Sequence, residues 1–199
     1  ERVNGMMARG EASWASLPAA LQEEMDEVVV MLTEAAAQGH IMAQAYLAEM
    51  YNFGYGVAQD YGRAFELCSQ AARQGHATSQ CNLGGMYHRG QRCEQSYERA
   101  AEWWAKAAEQ GFAEAQTNLG HAYYAGDGVP QSYERAIELY KLGEAQGHAV
   151  ATTSLGLCYA RGEGVDMSFA EAVRLYELAV ARGEAEFAPV NLQFINYII

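Results

Sequence analysis

Apolar and small residues recur along the chain at helical spacing, and the whole pattern repeats. The pair Gln-Gly, or a near variant, falls at Gly39, Gly75, Gly111, Gly147 and Gly183, each step being 36 residues. Self-similarity at one fixed period marks a repeat architecture. Cutting after these glycines gives four units, 40–75, 76–111, 112–147 and 148–183, whose positions are numbered here from 1. Position 8 is Leu47, Leu83, Leu119 and Leu155, and position 12 is Tyr51, Tyr87, Tyr123 and Tyr159. Four residues apart, they share one helical face. Positions 4 and 5 join that face and are read as a small-residue contact. Position 9 is Ala48, Gly84, Gly120 and Gly156. A glycine inside a helix costs roughly 1 kcal/mol relative to alanine, so its recurrence predicts a backbone closely approached by another helix. The first 14 positions are predicted as helix A.

Gly54, Gly90, Gly126 and Gly162 end helix A, where glycine can adopt the left-handed cap conformation. N-cap candidates for a second helix follow at Asp60, Ser96, Ser132 and Ser168. Ser168 with Glu171 has the spacing of a capping box. Helix B then carries apolar or small residues at positions 22, 25, 26, 28, 29 and 32, as in Tyr133, Ala136, Ile137, Leu139, Tyr140 and Gly143. Such a helical hairpin cannot bury its apolar faces alone, so neighbouring hairpins must stack. The expected fold is an all-α solenoid of helix-turn-helix repeats.

The flanks carry weaker copies. Gly10 stands 29 residues before Gly39, where Gly54 stands 21 before Gly75, so 1–39 reads as a diverged unit with eight extra residues. Ala188–Leu192 overlays Ala115–Leu119 with one insertion, which makes 184–199 a partial unit. The chain opens on Glu1 rather than Met, and a preceding segment is allowed for. Its other end, with Phe194, Ile195, Tyr197 and Ile198, is apolar enough to predict contact with another protein.

These columns resemble the Sel-one-like repeat family, kin of the tetratricopeptide repeat. In the third unit Ala115, Leu119, Gly120, Tyr123, Gly126, Gly128, Val129, Ala136, Tyr140 and Gly147 carry the resemblance. Departures are Arg92 and Cys93 for the loop's Gly-Val, Gly143 for a helix-B alanine, and Cys68 for its aromatic. The resemblance implies a right-handed superhelix that works as an adaptor between proteins and is not an enzyme.

Composition narrows the partners. The net charge is −12 and half the residues are hydrophobic. Such a surface repels phosphate backbones and anionic lipid, which argues against nucleic acid and membrane surfaces. No apolar run approaches the roughly 20 residues of a bilayer span. The expected partner is a protein, offering a peptide or helix segment, within a larger complex on the alternative reading below.

Candidate chemistry is thin. The Gly-x-Gly strings at Gly54, Gly126 and Gly162 follow helices rather than strands and lack a third glycine, so they read as turns. His40, His76 and His148 share position 1, but units two helices apart are too distant for one metal, and the residues read as structural. Cys68, Cys81, Cys93 and Cys158 form no Cys-x-x-Cys. They read as free buried thiols, suited to a reducing interior such as cytoplasm or an organelle, although Cys68 and Cys81 could pair across a hairpin. Arg63, Arg99 and Arg135 precede Glu66, Glu102 and Glu138 by three residues and predict surface ion pairs. Trp103 and Trp104 are predicted in the core. No catalytic, metal or cofactor site is expected.

With Leu and Tyr toward the stack, positions 3, 6, 10, 13 and 14 project outward. In solenoids of the resembled family this side of helix A lines the concave surface. Its candidate binding residues are Met42, Glu49, Asn52 and Phe53, then Thr78, His88 and Arg89. The third unit adds Glu114, Thr117, His121 and Tyr124, and the fourth Val150, Thr153, Leu157 and Arg161. A few apolar anchors among hydrogen-bonding groups suit a scaffold that holds a partner segment. The alternatives are a structural subunit held through its ends and apolar tail, and, less favoured, a small-molecule binder or enzyme.

Overall fold

A computed structural model of the chain describes residues 19–183, 188 and 191. The tail residues Phe194, Ile195, Tyr197 and Ile198 lie outside the described residues. Helix α1 (Ala19–Ala37) leads into four hairpins: α2 (Ile41–Phe53) with α3 (Tyr61–Arg73), and α4 (Ala77–Arg89) with α5 (Tyr97–Glu109). The third pairs α6 (Ala113–Ala125) with α7 (Tyr133–Ala145), and the fourth α8 (Ala149–Arg161) with α9 (Phe169–Ala181). Among the described residues there is no strand. Each helix packs chiefly on the helices before and after it in sequence, the arrangement of a solenoid.

Local chemistry fixes the ends of these helices. Gly54, Gly90, Gly126 and Gly162 close the helices A in the left-handed conformation. Asp60, Ser96, Ser132 and Ser168 cap the helices B through side-chain oxygens that accept backbone N–H groups. Only half of the expected capping box forms, because the Glu171 carboxylate turns to Arg174 at 2.6 Å instead of reaching back. At the start of helix A, Nδ1 of His76 accepts from the Ser79 N–H and that of His148 from the Ala151 N–H. Two of the three periodic histidines thus serve as caps, while His40 stands at the N-cap place without a side-chain bond.

The seams are made by very small residues. Ala64, Ala100, Ala136 and Ala172 at position 25 are all 0% exposed, and Leu47, Leu83, Leu119 and Leu155 are buried. The position-12 tyrosines are half-buried rather than core. Position 9 meets position 29 of the same unit: a Cβ on Gly84 would stand 2.6 Å from Trp104, and one on Gly156 2.8 Å from Tyr176. Unit one holds Ala48 and the smaller Cys68 at these places, both buried. Trp103 differs from expectation. It is half-buried, with the Lys106 ammonium 4.0 Å from its ring centroid.

Two further expectations fail for one reason, a partner distant in sequence. Position 5 is Gln44, Gln80, Gln116 and Thr152, and these residues are buried polar links between units rather than a small-residue contact. The Gln80 amide donates to the Ala72 carbonyl of the preceding unit at 3.1 Å and accepts from Gln110 at 2.7 Å. Gln44 repeats this with Ala36 and Gln74, and Gln116 with Ala108 and Gln146. In the last unit Arg182 replaces the amide, donating to Thr152 Oγ1 at 2.8 Å and to the Glu144 carbonyl at 3.0 Å. Likewise, Arg63, Arg99 and Arg135 do not pair with Glu66, Glu102 and Glu138. Their guanidinium groups lie 5.3, 5.5 and 5.8 Å from the ring centroids of Tyr51, Tyr87 and Tyr123. A half-buried ring face offers about 0.5–1 kcal/mol, at least as much as an exposed ion pair.

Candidate functional site

The outward sides of α2, α4, α6 and α8 line a trough of three adjoining hollows. The first, about 140 Å³, brings together Glu49, Asn52, Phe53, Thr78 and Arg89. The central one, about 300 Å³, shares Arg89 and adds His88, Glu114 and His121. The third, about 340 Å³, joins His121 to Val150, Thr153, Leu157 and Arg161. Met42 stands exposed on the same side.

Three predicted residues are placed otherwise, one being Thr153, which edges the third hollow but is buried with its hydroxyl donating to the Ala149 carbonyl at 3.2 Å. Thr117 is 1% exposed, its hydroxyl oxygen 2.8 Å from the Ala113 carbonyl and 2.9 Å from His148 Nδ1 in the next unit. Tyr124 turns back toward helix B, edge-on to Tyr133, and its hydroxyl donates to Glu163 Oε2 while accepting from Arg161 at 2.8 Å. The reason is rotational. Buried positions of helix A run from 11 through 4, 8, 5 and 9 to 6, an arc of about 220° centred close to position 5. The open face is therefore centred on positions 14, 3, 7 and 10, which leaves positions 6 and 13 on the covered side.

Position 7 is the column that sequence reasoning missed: Tyr46, Asn82, Asn118 and Ser154. Centring the helical wheel on the whole small and apolar set, rather than on the leucine, would have found it. Asn82 borders both the first and central hollows and forms no side-chain hydrogen bond among the described residues. Asn118 makes only a long contact of 3.6 Å to Cys81 Sγ. Both amides present a donor and an acceptor to the trough.

Arg89 and Arg161 occupy the same repeat position but differ electrostatically. Arg161 is engaged by Tyr124 and lies 3.9 Å from Glu163. Around Arg89 the corresponding places hold Asn52 of the first unit and Gln91 of the second, and Arg89 forms no ion pair among the described residues. Its guanidinium folds over Gly85, whose absent Cβ would stand 3.2 Å from Nη2. The small residue makes room for the charge within the trough.

The titratable groups are quiet. Burial pushes the Cys68 and Cys81 thiols up to about 12 and Cys158 to about 11, with Glu49, Glu114 and Glu163 respectively adding to the effect. Burial also raises Cys93. Such thiols remain protonated at neutral pH and are poor nucleophiles, and all four are free. The trough walls shield His121, although water reaches part of its ring, and this desolvation holds its imidazole below the ordinary 6.5, with His148 adding to it. Its Nε2 lies 2.8 Å from Ser154 Oγ. Among the described residues no three His, Cys, Asp or Glu side chains converge as a metal site, and no helix is long and apolar enough to cross a membrane.

Comparison with known proteins follows the same lines. The Sel1 repeat matches residues 41–76, 77–112, 113–148 and 149–184. Among solved structures, the chain is similar to c5321, a protective antigen of uropathogenic Escherichia coli with an SLR fold, at 35% identity and a TM-score of 0.77. That match covers 84% of this chain and 36% of the antigen. A Sel1 repeat protein from Oxalobacter formigenes is 29% identical with a TM-score of 0.75, over 78% of this chain and 62% of its own length. The immunity protein Pa5087 of Pseudomonas aeruginosa is 25% identical with a TM-score of 0.54, over 80% of this chain and 59% of that one. The chain thus spans under two thirds of each of these relatives. No curated protein matches it. Sel1 repeat proteins are in general protein-interaction scaffolds and typically non-catalytic. With four tandem matches and the same stacked hairpins, the chain belongs to the Sel1 repeat family.

Proposed function

We propose that the chain is a non-catalytic scaffold that holds an extended segment of a partner protein in the trough. The observation that carries this reading is a contrast within the array. Among the described residues, buried polar side chains are satisfied and most arginines lie on a ring or in an ion pair. The Arg89 charge and the Asn82 amide are open toward the hollows, as is most of the Asn118 amide. An amide side chain can pair with both groups of a peptide plane, which suits an extended backbone better than a helix whose backbone is already bonded. Leu157 and Val150 at one end and Phe53 at the other offer apolar anchorage. Protonated thiols and a trough open to solvent give little to support chemistry.

The test is quantitative capture of interacting proteins by the chain and by an Asn82→Ala, Asn118→Ala, Leu157→Asp triple variant with an unchanged circular-dichroism spectrum. Loss of one stoichiometric partner is expected. Equal retention of every partner would refute the trough.

A second reading, a structural subunit held through its ends, draws on helix α1. Val30 and Met31 there are exposed, and Met25, Val28 and Leu32 with Tyr46 and Met50 of α2 surround an apolar hollow of about 510 Å³.

The proposed limits of the units are those of the repeat period, with 1–39 and 184–199 as diverged or partial units.

A further inference from the structure

We infer that the trough reads a charge order in its partner: one internal acidic side chain seated on Arg89, with basic side chains to either side of it. This rests on the trough being the binding surface, and names the partner chemistry that the surface fits.

The order follows from where the charges stand. Arg89 borders both the first and the central hollow, so it lies between them. Glu49 lines the first hollow, and Glu114 and Asp127 line the central one. None of these three carboxylates forms an ion pair among the described residues, and none reaches Arg89. The pattern along the trough is therefore negative, positive, negative.

A planar guanidinium unpaired by the protein and lying over Gly85 has its fork of donors free for a carboxylate. The flanking acids would repel a uniformly acidic segment, and the net charge of −12 attracts a basic one. Charge complementarity of this kind fixes register and rejects wrong partners more than it adds affinity. Because the trough continues on both sides of Arg89, the carboxylate belongs to a side chain of a segment running through, not to a chain terminus.

The fourth unit supplies an internal control. There the arginine at the same position donates to the Tyr124 hydroxyl at 2.8 Å, with the Glu163 carboxylate 3.9 Å away. The array itself thus places a carboxylate beside this guanidinium, joined to it through the Tyr124 hydroxyl, where Arg89 has neither group.

The experiment is selection of random dodecapeptides displayed between two carrier domains, so that no chain terminus is presented, against the full chain and against Arg89→Ala. Expected are enriched peptides with one Asp or Glu between Lys or Arg residues. Selection on Arg89→Ala should lose the acidic position, and enriched peptides should bind that variant about ten-fold more weakly, the scale of a charge-assisted hydrogen bond. Arg89→Lys should recover part of the affinity, and unchanged thermal melts exclude unfolding.

Enriched peptides that need Asn82 and Asn118 but show no acidic position, or that bind Arg89→Ala equally well, overturn the charge order and leave the trough standing. So does enrichment of an acid only at a free carboxyl terminus in a second library. Peptides indifferent to every trough substitution, or no enrichment over an unrelated helical protein, overturn both.

Discussion

A Cβ added to Gly120 would stand 2.6 Å from Cε1 of Tyr140. The ring of one helix rests directly on the backbone of the other, and the same contact recurs at Gly84 with Trp104 and at Gly156 with Tyr176. Gly120→Ala should gain about 1 kcal/mol of helix propensity and lose more to overpacking, about 1–3 kcal/mol. A net fall in urea-unfolding stability is expected. In the first unit the pairing is Ala48 with Cys68, so Cys68→Tyr should destabilise and Ala48→Gly should rescue it. A double-mutant cycle in which the two substitutions simply add would disprove this size matching.

Gln80 ties two units together through the Ala72 carbonyl and Gln110. Gln80→Leu deprives a buried carbonyl of one donor and the Gln110 amide of one of its acceptors, the Gly75 carbonyl remaining, for a loss of about 1–3 kcal/mol. Stability in a linear array depends on coupling between neighbours. The melt should therefore broaden, with faster amide exchange in α2 and α3 than in α8 and α9. A sharp melt with uniform exchange would count against the link.

The buried thiols make the fold sensitive to alkali. Cys68 and Cys81 are held at about 12 against an ordinary 9.0. Above pH 9 the unfolded chain gives up these protons while the folded chain keeps them, so stability present below pH 9 falls as pH rises toward 12. Melting temperature should drop between pH 8.5 and 10.5, and less steeply in a Cys68→Ala, Cys81→Ala variant than in the parent. In the native state at neutral pH, a thiol reagent should modify half-buried Cys93 well before the other three.

Arg92 has φ of 59°, the left-handed region, and no other described residue except glycine has positive φ. The equivalent places are Gly56, Gly128 and Gly164. Such a conformation costs a residue with a Cβ about 1–2 kcal/mol, offset in part by the contact of Arg92 with the Tyr61 ring at 6.0 Å. Arg92→Gly should stabilise by up to about 1 kcal/mol. At Gly128 the opposite holds: its added Cβ would meet the Tyr97 carbonyl at 2.2 Å. Gly128→Ala should destabilise by about 2–4 kcal/mol, strain and clash together. Thermal melts of the two variants, moving in opposite directions, check the pair.

What could be read from the sequence is what local chemistry controls. Gly126, Ser132 and Gly147 act within a turn of where they stand, and the leucine and glycine columns repeat often enough to expose a shared face. The misread features depend on partners far along the chain. Gln80 looks like any polar helical residue until Gln110, thirty residues on, closes the bond. Arg63 has Glu66 within local reach, yet the ring of Tyr51 on the other helix holds it. The trough was legible in outline because Glu49, Arg89 and Leu157 follow from helical spacing. Asn82 and Asn118 were missed, and Thr117 misplaced, because the tilt of helix A against its neighbours decides which edge of the polar face is covered.

The glutamine bridges between successive hairpins also make the joints interchangeable. If residues 76–111 were excised, the Ala72 carbonyl would face Gln116, the residue type that it faces now, and the break would close on an equivalent coupling. Length can therefore change by whole hairpins while the charges presented to a partner change independently. An ancestor could lengthen its reach by duplication first and acquire Arg89 afterwards.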